Sequence, residues 1–488
     1  MKHTNRNHSP LASAFLLALC ACAASGTRSA DSPASGATGY ASPAPFPHVP
    51  IPVGSAAPAT PLAEETPTPA LPRTLGDHVR WALAHNPTLG GLSANLSALA
   101  EAPRQVGVLP DPKLSVTHYL EPVQTRVGPQ RSAVGLTQAL PWFGTLGLRA
   151  AAAEQQTAAA AEGLHGARLE TARAVRRAWC ELTYLGRVAA VLEENMALLQ
   201  QSAQAVRARF TTGGASHGQL IRVDLERARL GDRLRAARGR RAPARARLAR
   251  ALGTPLPRPD DEPRDYGGLL EELDADGALP ATAFPVHHPE LRAARASIAG
   301  ARARLSLAEK QRYPDLAFGL RWIETGDAAG MGGSDAGADP WLATVVLDLP
   351  LDRGRIAAGE RAARARQRSA ALALDRTRQS LEARLASARF DFEDAGRRMV
   401  LHEEALLPRA STVLHTTESA FRTGQATFND LLDANRVLLD LALSLEGARR
   451  DRALARADLE ALLARPLPQS DSISQHSSDK SAPAQQAR

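Results

Sequence analysis

Apolar residues recur at alternating steps of three and four positions in two long stretches of the chain, the spacing typical of coiled-coil helices. The first seam consists of Val175, Ala178, Leu182, Leu185, Ala189, Leu192, Met196 and Leu199. The second seam consists of Leu381, Leu385, Ala388, Phe392, Ala395, Met399, His402 and Leu406. No proline occurs from Gly144 to Arg209, which predicts one helix of about 100 Å. Pro408 is expected to kink the second long helix near its end.

Four shorter segments alternate apolar and polar or small residues, the period of β-strands. These predicted strands cover about residues 113–120, 132–140, 315–323 and 341–349. Their pattern suits a barrel wall with an apolar outside and a small, polar inside. Because membrane barrels use about eight strands or more, four strands predict that several chains share one barrel. The connections 121–131 and 324–340 are expected to be solvent-exposed loops.

The chain repeats itself after roughly 200 residues. His85-Asn86-Pro87 returns as His287-His288-Pro289, and the turn sequence that begins at Phe210 returns at Phe421. Each copy reads helix, strand hairpin, very long helix, glycine turn, helix. We assign the first repeat to 74–254 and the second to 287–465, joined by a linker at 255–286 that is rich in Pro, Asp and Gly.

The two ends of the chain differ from the repeats in composition. Lys2 and Arg6 precede a short apolar run, which predicts an export signal peptide over 1–22. Leu19-Cys20-Ala21-Cys22 resembles a lipobox, with Cys22 as the candidate for lipidation; cleavage without lipid is the alternative. Residues 23–73 read as an extended tether and 466–488 as a disordered tail, because neither can bury a core.

Composition excludes several functional classes. Aromatic residues make up only 4% of the chain and hydrophobic residues 44%, so Ala, Leu and Val supply the packing. The net charge of +8 would permit a nucleic-acid partner, but Arg is interleaved with Ala and Glu throughout, as on solvated helix faces. Three Cys exclude a Cys-rich metal site. His287 and His288 are adjacent and cannot share a helix face, so no metal site is predicted there. With no nucleophile, metal or phosphate motif, we expect neither catalysis nor a cofactor.

Taken together, these features resemble the TolC-like outer-membrane efflux family over about residues 74–465. The matching pieces are Asn86-Pro87, Leu109-Pro110-Asp111-Pro112, the sequence from Gln138 to Gly144, the sequence from Leu349 to Arg355, and the sequence from Phe421 to Ala434. The resemblance implies a mainly α fold with a small transmembrane β part. It implies a homotrimer in the bacterial outer membrane, with a 12-stranded β-barrel and a large periplasmic α-helical barrel.

Such a duct has no catalytic activity of its own. The resemblance implies two partners, a periplasmic adaptor and an inner-membrane pump, often proton-driven, and a cargo of metal ions, drugs or other small molecules. The outer component of a type I protein secretion system is the alternative. A secreted helical structural or adaptor protein is a more distant one.

The resemblance also implies two sites. Turn residues at the periplasmic tips would contact the adaptor, although glycines there would cap helices in any case: Thr212, Gly213, Ala215, Thr423, Gly424 and Ala426. Asp430 and Asp433 would ring the closed pore and raise each other's pKa, whereas the alternative makes them ordinary first-turn aspartates. The first repeat has Gln219 and Arg222 at the equivalent positions.

The chain departs from the family at the same place. Where relatives lock the tip with a Tyr and an Arg, this chain has Phe421 and Ala426. The sequence therefore leaves open how a closed state is held.

Overall fold

A computed structural model describes residues 74–254, 263, 265–266, 269–270, 286–327 and 337–465. The predicted signal peptide with Cys22, the tether, most of the linker and the tail lie outside these residues. The first repeat contains α1 (Leu75–His85), α2 (Pro87–Val106), β1 (Lys113–Thr125), β2 (Gly128–Leu140), α3 (Thr145–Thr211) and α4 (His217–Leu252). The second contains α5 (Pro289–Lys310), β3 (Asp315–Thr325), β4 (Trp341–Asp348), α6 (Arg353–Val400), α7 (Leu407–Thr423) and α8 (Phe428–Leu462).

The element order confirms the two tandem repeats of helix, hairpin, long helix and helix. Helix α3 runs without a break for 67 residues, as the absence of proline predicts. Its equivalent in the second repeat is divided, because a π-helical turn over Leu401–Leu406 separates α6 from α7.

The π-helical turn lies directly before Pro408. A proline has no N–H and its ring collides with the carbonyl four residues back, so the regular hydrogen-bond ladder cannot continue there. The chain inserts a wider turn instead, in which the Leu407 N–H bonds to the carbonyl of His402, five residues back. The predicted distortion at Pro408 is therefore a local widening of the helix.

The four strands form one antiparallel sheet in the order β1-β2-β3-β4. Strands β1 and β2 are longer than their pattern predicts, and only Arg126 and Val127 separate them. The expectation of an exposed loop over 121–131 was wrong, because strand pairing continues from Val123 opposite Gln130 to Thr125 opposite Gly128, after a register shift. The predicted loop at 324–340 lies partly outside the described residues.

The strand register gives the sheet two different faces. Leu136 lies opposite Leu320, and Val134 opposite Trp322, on a face whose large side chains are mostly exposed in the single chain. The opposite face carries mainly small and polar residues, with Gly135 opposite Arg321 and Gly319 opposite Thr344, although Leu342 and Val346 of β4 also lie on it. This is the apolar-against-polar division that the alternation predicts.

The packed core follows the seams. Most of the first seam is buried, and Val175, Leu182 and Leu185 pack with residues of α1 and α4. Cys180 is free and fully buried there, and burial raises the pKa of its thiol to about 12. No helix among the described residues is long and apolar enough to span a bilayer.

Candidate functional site: the two hairpin tips

The two helical hairpins, α3–α4 and α7–α8, each reverse direction at a glycine. Gly213 follows α3 with φ +76°, and Gly424 follows α7 with φ +83°, a left-handed conformation that favours glycine. The next amide closes each turn: the N–H of Gly214 bonds to the Arg209 carbonyl at 2.7 Å, and that of Gln425 to the Ala420 carbonyl at 2.8 Å. Such contacts satisfy the carbonyls left open at a helix end. We call residues 209–222 the first tip and 420–436 the second tip.

The predicted adaptor-contact residues divide into two groups. Thr212, Gly213, Thr423 and Gly424 are exposed, and both threonine hydroxyls donate back to a carbonyl of their own helix. The two alanines are half-buried and pack against the apolar cluster beneath the tips: Ala215 and Ala426. The exposed four are therefore accessible to a partner, while the alanines belong partly to the core.

Asp430 lies in the first turn of α8 and forms a capping box with Thr427. Its Oδ2 accepts from the Thr427 backbone N–H at 2.8 Å and from the Thr427 hydroxyl at 2.7 Å, and its own N–H donates to that hydroxyl at 3.3 Å. The hydrogen bond from the Thr427 side chain lowers the pKa of the Asp430 carboxyl. Within one chain this lowered pKa of Asp430 is opposite to the raised pKa expected of two neighbouring aspartates.

Asp433 has different neighbours. It lines a polar cleft of about 350 Å³ between α4 and α8. Its carboxylate lies 3.2 Å from the Arg436 guanidinium, which also pairs with Glu226 of α4. One turn nearer the tip, Arg222 donates to the Asn429 side chain. Charged and polar contacts therefore join the second tip to the first repeat.

The residue at the Tyr position of the relatives is buried here. Phe421 is 3% exposed, and the Arg209 guanidinium lies 4.8 Å from its ring centre. Arg209 also donates to the Phe421 carbonyl at 2.6 Å. Deeper in the hairpins, buried Asn195 donates to Asn435 at 2.8 Å, a polar contact that restricts the register of α3 against α8.

Sequence reasoning missed Arg209, Asn195, Glu226, Asn429 and Arg436. A polar Asn between apolar seam positions is a visible signal for Asn195. The other four form contacts with residues roughly 200 positions away in the chain, and no local pattern marks such pairs.

His288 is a structural histidine. It is buried and caps α5, where its Nδ1 accepts from the Glu290 N–H at 3.3 Å. Desolvation lowers its pKa, although hydrogen bonding to the Ala461 backbone opposes that shift. Among the residues that the structure describes, no group of three or more His, Cys, Asp or Glu side chains could hold a metal.

Comparison with known proteins identifies the architecture. Residues 285–465 match the model of the outer membrane efflux protein family. No curated protein sequence matches the chain.

Solved structures resemble the chain over most of its length. The MtrE outer membrane channel of Neisseria gonorrhoeae is 20% identical with a TM-score of 0.67, covering 80% of this chain and 89% of that one. The outer membrane protein VceC of Vibrio cholerae is 20% identical with a TM-score of 0.66, covering 80% and 96%. The CmeC outer membrane channel of Campylobacter jejuni is 13% identical with a TM-score of 0.61, covering 86% and 94%. The second repeat therefore resembles the outer membrane efflux protein family, and the chain as a whole has the fold of the TolC-like outer-membrane channels.

Proposed function

We propose that this protein is the outer-membrane exit duct of a tripartite efflux pump, a homotrimer that carries metal ions, drugs or other small molecules out of the periplasm. One observation carries the proposal. The sheet has an apolar face and a face of small and polar residues, and it is joined to helices far longer than a compact domain needs.

The strand count calls for several copies, and the resemblance to efflux ducts implies three. The described residues of each chain contribute four strands, and β1 and β4 each have a single neighbour in the sheet. A free strand edge is intolerable in lipid, because its N–H and C=O groups find no water. Pairing β4 of one copy with β1 of the next removes every edge, and three copies give twelve strands, within the range of membrane barrels.

The tips are the surface proposed for a periplasmic adaptor, with an inner-membrane pump, proton-driven, beneath it. Thr212, Gly213, Thr423 and Gly424 are exposed at the ends of the two hairpins, farthest along the helices from the sheet. The backbone groups exposed at these glycine turns can form hydrogen bonds with another helical hairpin. The resemblance to efflux ducts supports the identity of both partners.

Asp430 and Asp433 are the proposed constriction. Both carboxylates are exposed in the single chain, and a three-fold assembly would present six of them around the pore axis. Rings of carboxylates attract cations and repel one another. The Arg436–Glu226 pair and the Arg222–Asn429 contact are proposed to hold the second tip against the first in the closed state, since this chain has Phe421 where relatives have Tyr.

Native mass spectrometry of detergent-extracted outer membranes tests the duct. The expected result is a trimer, with the mass of a triacylated Cys22 at its mature N-terminus if the lipobox is used. A trimer without lipid would contradict only the proposed lipidation of Cys22. A soluble monomer would overturn the shared barrel and leave a secreted helical protein.

Conductance in planar bilayers tests the constriction. Replacing both Asp430 and Asp433 by Ala should raise single-channel conductance or weaken block by divalent cations, because the carboxylates that hold cations are gone. The matched control is Asp224→Ala with Asp232→Ala, which removes two exposed carboxylates from α4 of the first repeat. If both double variants behave like the unmodified channel, the assignment of the constriction is wrong.

A further inference from the structure

An apolar cleft lies where the sheet meets the long helices. It measures about 340 Å³ and is lined by nine residues, none of them charged. The lining includes Leu140, Leu316 and Phe318 at the strand ends, and Trp142 and Phe143 in the segment that leads into α3. A volume in this range is typical of sites that enclose a small apolar ligand.

The cleft continues the apolar face of the sheet. Leu140 lies opposite Leu316, and Gln138 opposite Phe318, on the same face as Leu136 and Leu320. The cleft is concave, and Phe143 at its rim is 76% exposed. An exposed concave apolar surface of this kind marks a binding site for an apolar partner.

Beyond Trp142, which lines the cleft, lie a further aromatic ring and two cations. Tyr313 stacks on Trp142 with ring centres 5.0 Å apart and planes within 4°. The Lys310 ammonium and the Arg312 guanidinium lie 5.6 and 5.9 Å from the centre of the Tyr313 ring. Rings with one polar end, next to basic side chains, are typical of the headgroup level of a membrane.

We propose that this cleft binds the acyl chain of an anionic phospholipid from the periplasmic leaflet, with the lipid phosphate held by Lys310 and Arg312. The inference rests on the proposed function, because it requires the apolar face to contact the bilayer. The strand ends at the cleft lead directly into α3 and come directly from α5, so this end of the sheet faces the periplasm.

Two other occupants fit the cleft less well. A second copy of the chain would meet this one at β1 and β4, whereas the cleft lies over β2 and β3 in the middle of the sheet. The diacylglyceryl group of a lipidated Cys22 has acyl chains but no phosphate, so it would give Lys310 and Arg312 no anionic partner beyond Glu360, whose carboxylate lies 3.9 Å from the Arg312 guanidinium. A phospholipid satisfies both the apolar cleft and its basic border.

The test is native mass spectrometry of the purified full chain in mixed micelles with phosphatidylglycerol, and separately with diacylglycerol. The unmodified protein is expected to retain a single phosphatidylglycerol per protomer and to retain diacylglycerol poorly. Replacing Lys310 and Arg312 by Ala should weaken phosphatidylglycerol retention about tenfold, since two cations near a lipid phosphate are lost.

The matched control is Arg366→Ala with Arg368→Ala, which removes two exposed cations from α6 farther from the sheet. It should retain lipid as the unmodified protein does. If both double variants retain phosphatidylglycerol equally, the proposed site is wrong. It is also wrong if phosphatidylglycerol enters the cleft only after Cys22→Ser. The same spectra report the trimer, so a trimer without the lipid preference would reject the site alone, and a monomer would reject the duct itself.

Discussion

The two hairpin tips have the same backbone but different surroundings. Phe210 and His217 of the first tip have ring centres 6.2 Å apart, and so do Phe421 and Phe428 of the second. Yet Phe210 is 42% exposed, whereas Phe421 and Phe428 are 3% and 1% exposed. The Phe421 and Phe428 rings of the second tip are covered within the chain, whereas the Phe210 ring of the first tip has no equivalent cover among the described residues. An internal repeat in sequence therefore preserves local geometry without preserving burial.

The helix that leaves each tip shows a related difference in charge. The third residue of α8 is Asp430, whose carboxylate accepts from the Thr427 N–H, and the third residue of α4 is Gln219, whose side chain accepts from the Ser216 N–H. The capping geometry is shared, but only the second tip carries a negative charge there. Any carboxylate ring at this level must come from the second repeat.

The largest expected effect is a difference in stability between variants of the buried Phe421 and the exposed Phe210. Phe421→Ala should lower the free energy of unfolding by about 3–5 kcal/mol, because it empties a packed site. Phe210→Ala at the equivalent exposed position should cost under about 1 kcal/mol. Denaturant titration of both variants in detergent measures the difference, with local hydrogen exchange at the tip amides as a second readout. Equal losses would mean that assembly buries the first tip as deeply as the second.

A smaller effect should be the same at both tips. Gly213→Ala and Gly424→Ala should each cost about 1–2 kcal/mol, because both positions have a left-handed backbone that a side chain disfavours. Gly447→Ala is the control. It lies within α8 with nothing within 4 Å of a new Cβ, and should stabilise the helix by about 0.5–1 kcal/mol. Unequal losses at Gly213 and Gly424 would show that partner contacts, rather than the turn, select one of the glycines.

The smallest expected effect concerns the caps of α2 and α5. Asn86 accepts from the Thr88 N–H and donates to the Ala251 carbonyl, and His288 occupies the equivalent cap in the second repeat. Burial lowers the pKa of His288, so the unfolded chain binds its proton first as pH falls. Stability should therefore decline below the unfolded histidine pKa of about 6.5, until His288 also protonates in the folded state.

His288→Asn installs the residue of the first repeat and should reduce this loss of stability in acid. Unfolding midpoints at about pH 7.5 and pH 5.5 measure it. His287→Asn, at the exposed neighbouring position, should keep the pH dependence of the unmodified protein. If His288→Asn is as sensitive to acid as the unmodified protein, another group controls stability in this range.

Much of the fold could be predicted from local patterns. The seam spacing predicted the buried side of α3, the absence of proline predicted its length, and Pro408 predicted the distortion before α7. The alternation of residues predicted four strands and their two faces. The length of β1 and β2 was underestimated, because Glu121 and Pro122 interrupt the alternation, and strand pairing resumes beyond them at Val123 opposite Gln130.

The candidate site was less predictable. The glycine turns and the aspartates could be located, because turn residues and first-turn acids are local signals. The pairing of Arg436 with Glu226 could not be predicted, because these residues lie 210 positions apart and meet only through the fold.

The sequence by itself determined the repeat, the periodicity of its helices and strands, and the turns that reverse them, because these depend on residues within a few positions of one another. Only the tertiary structure decided which of two equivalent tips is buried, which cation meets Phe421, and that an apolar cleft with a basic border forms beneath the sheet. Those features arise where residues far apart in the chain come within a few ångströms, and contact across such distances is a property of packing rather than of local pattern.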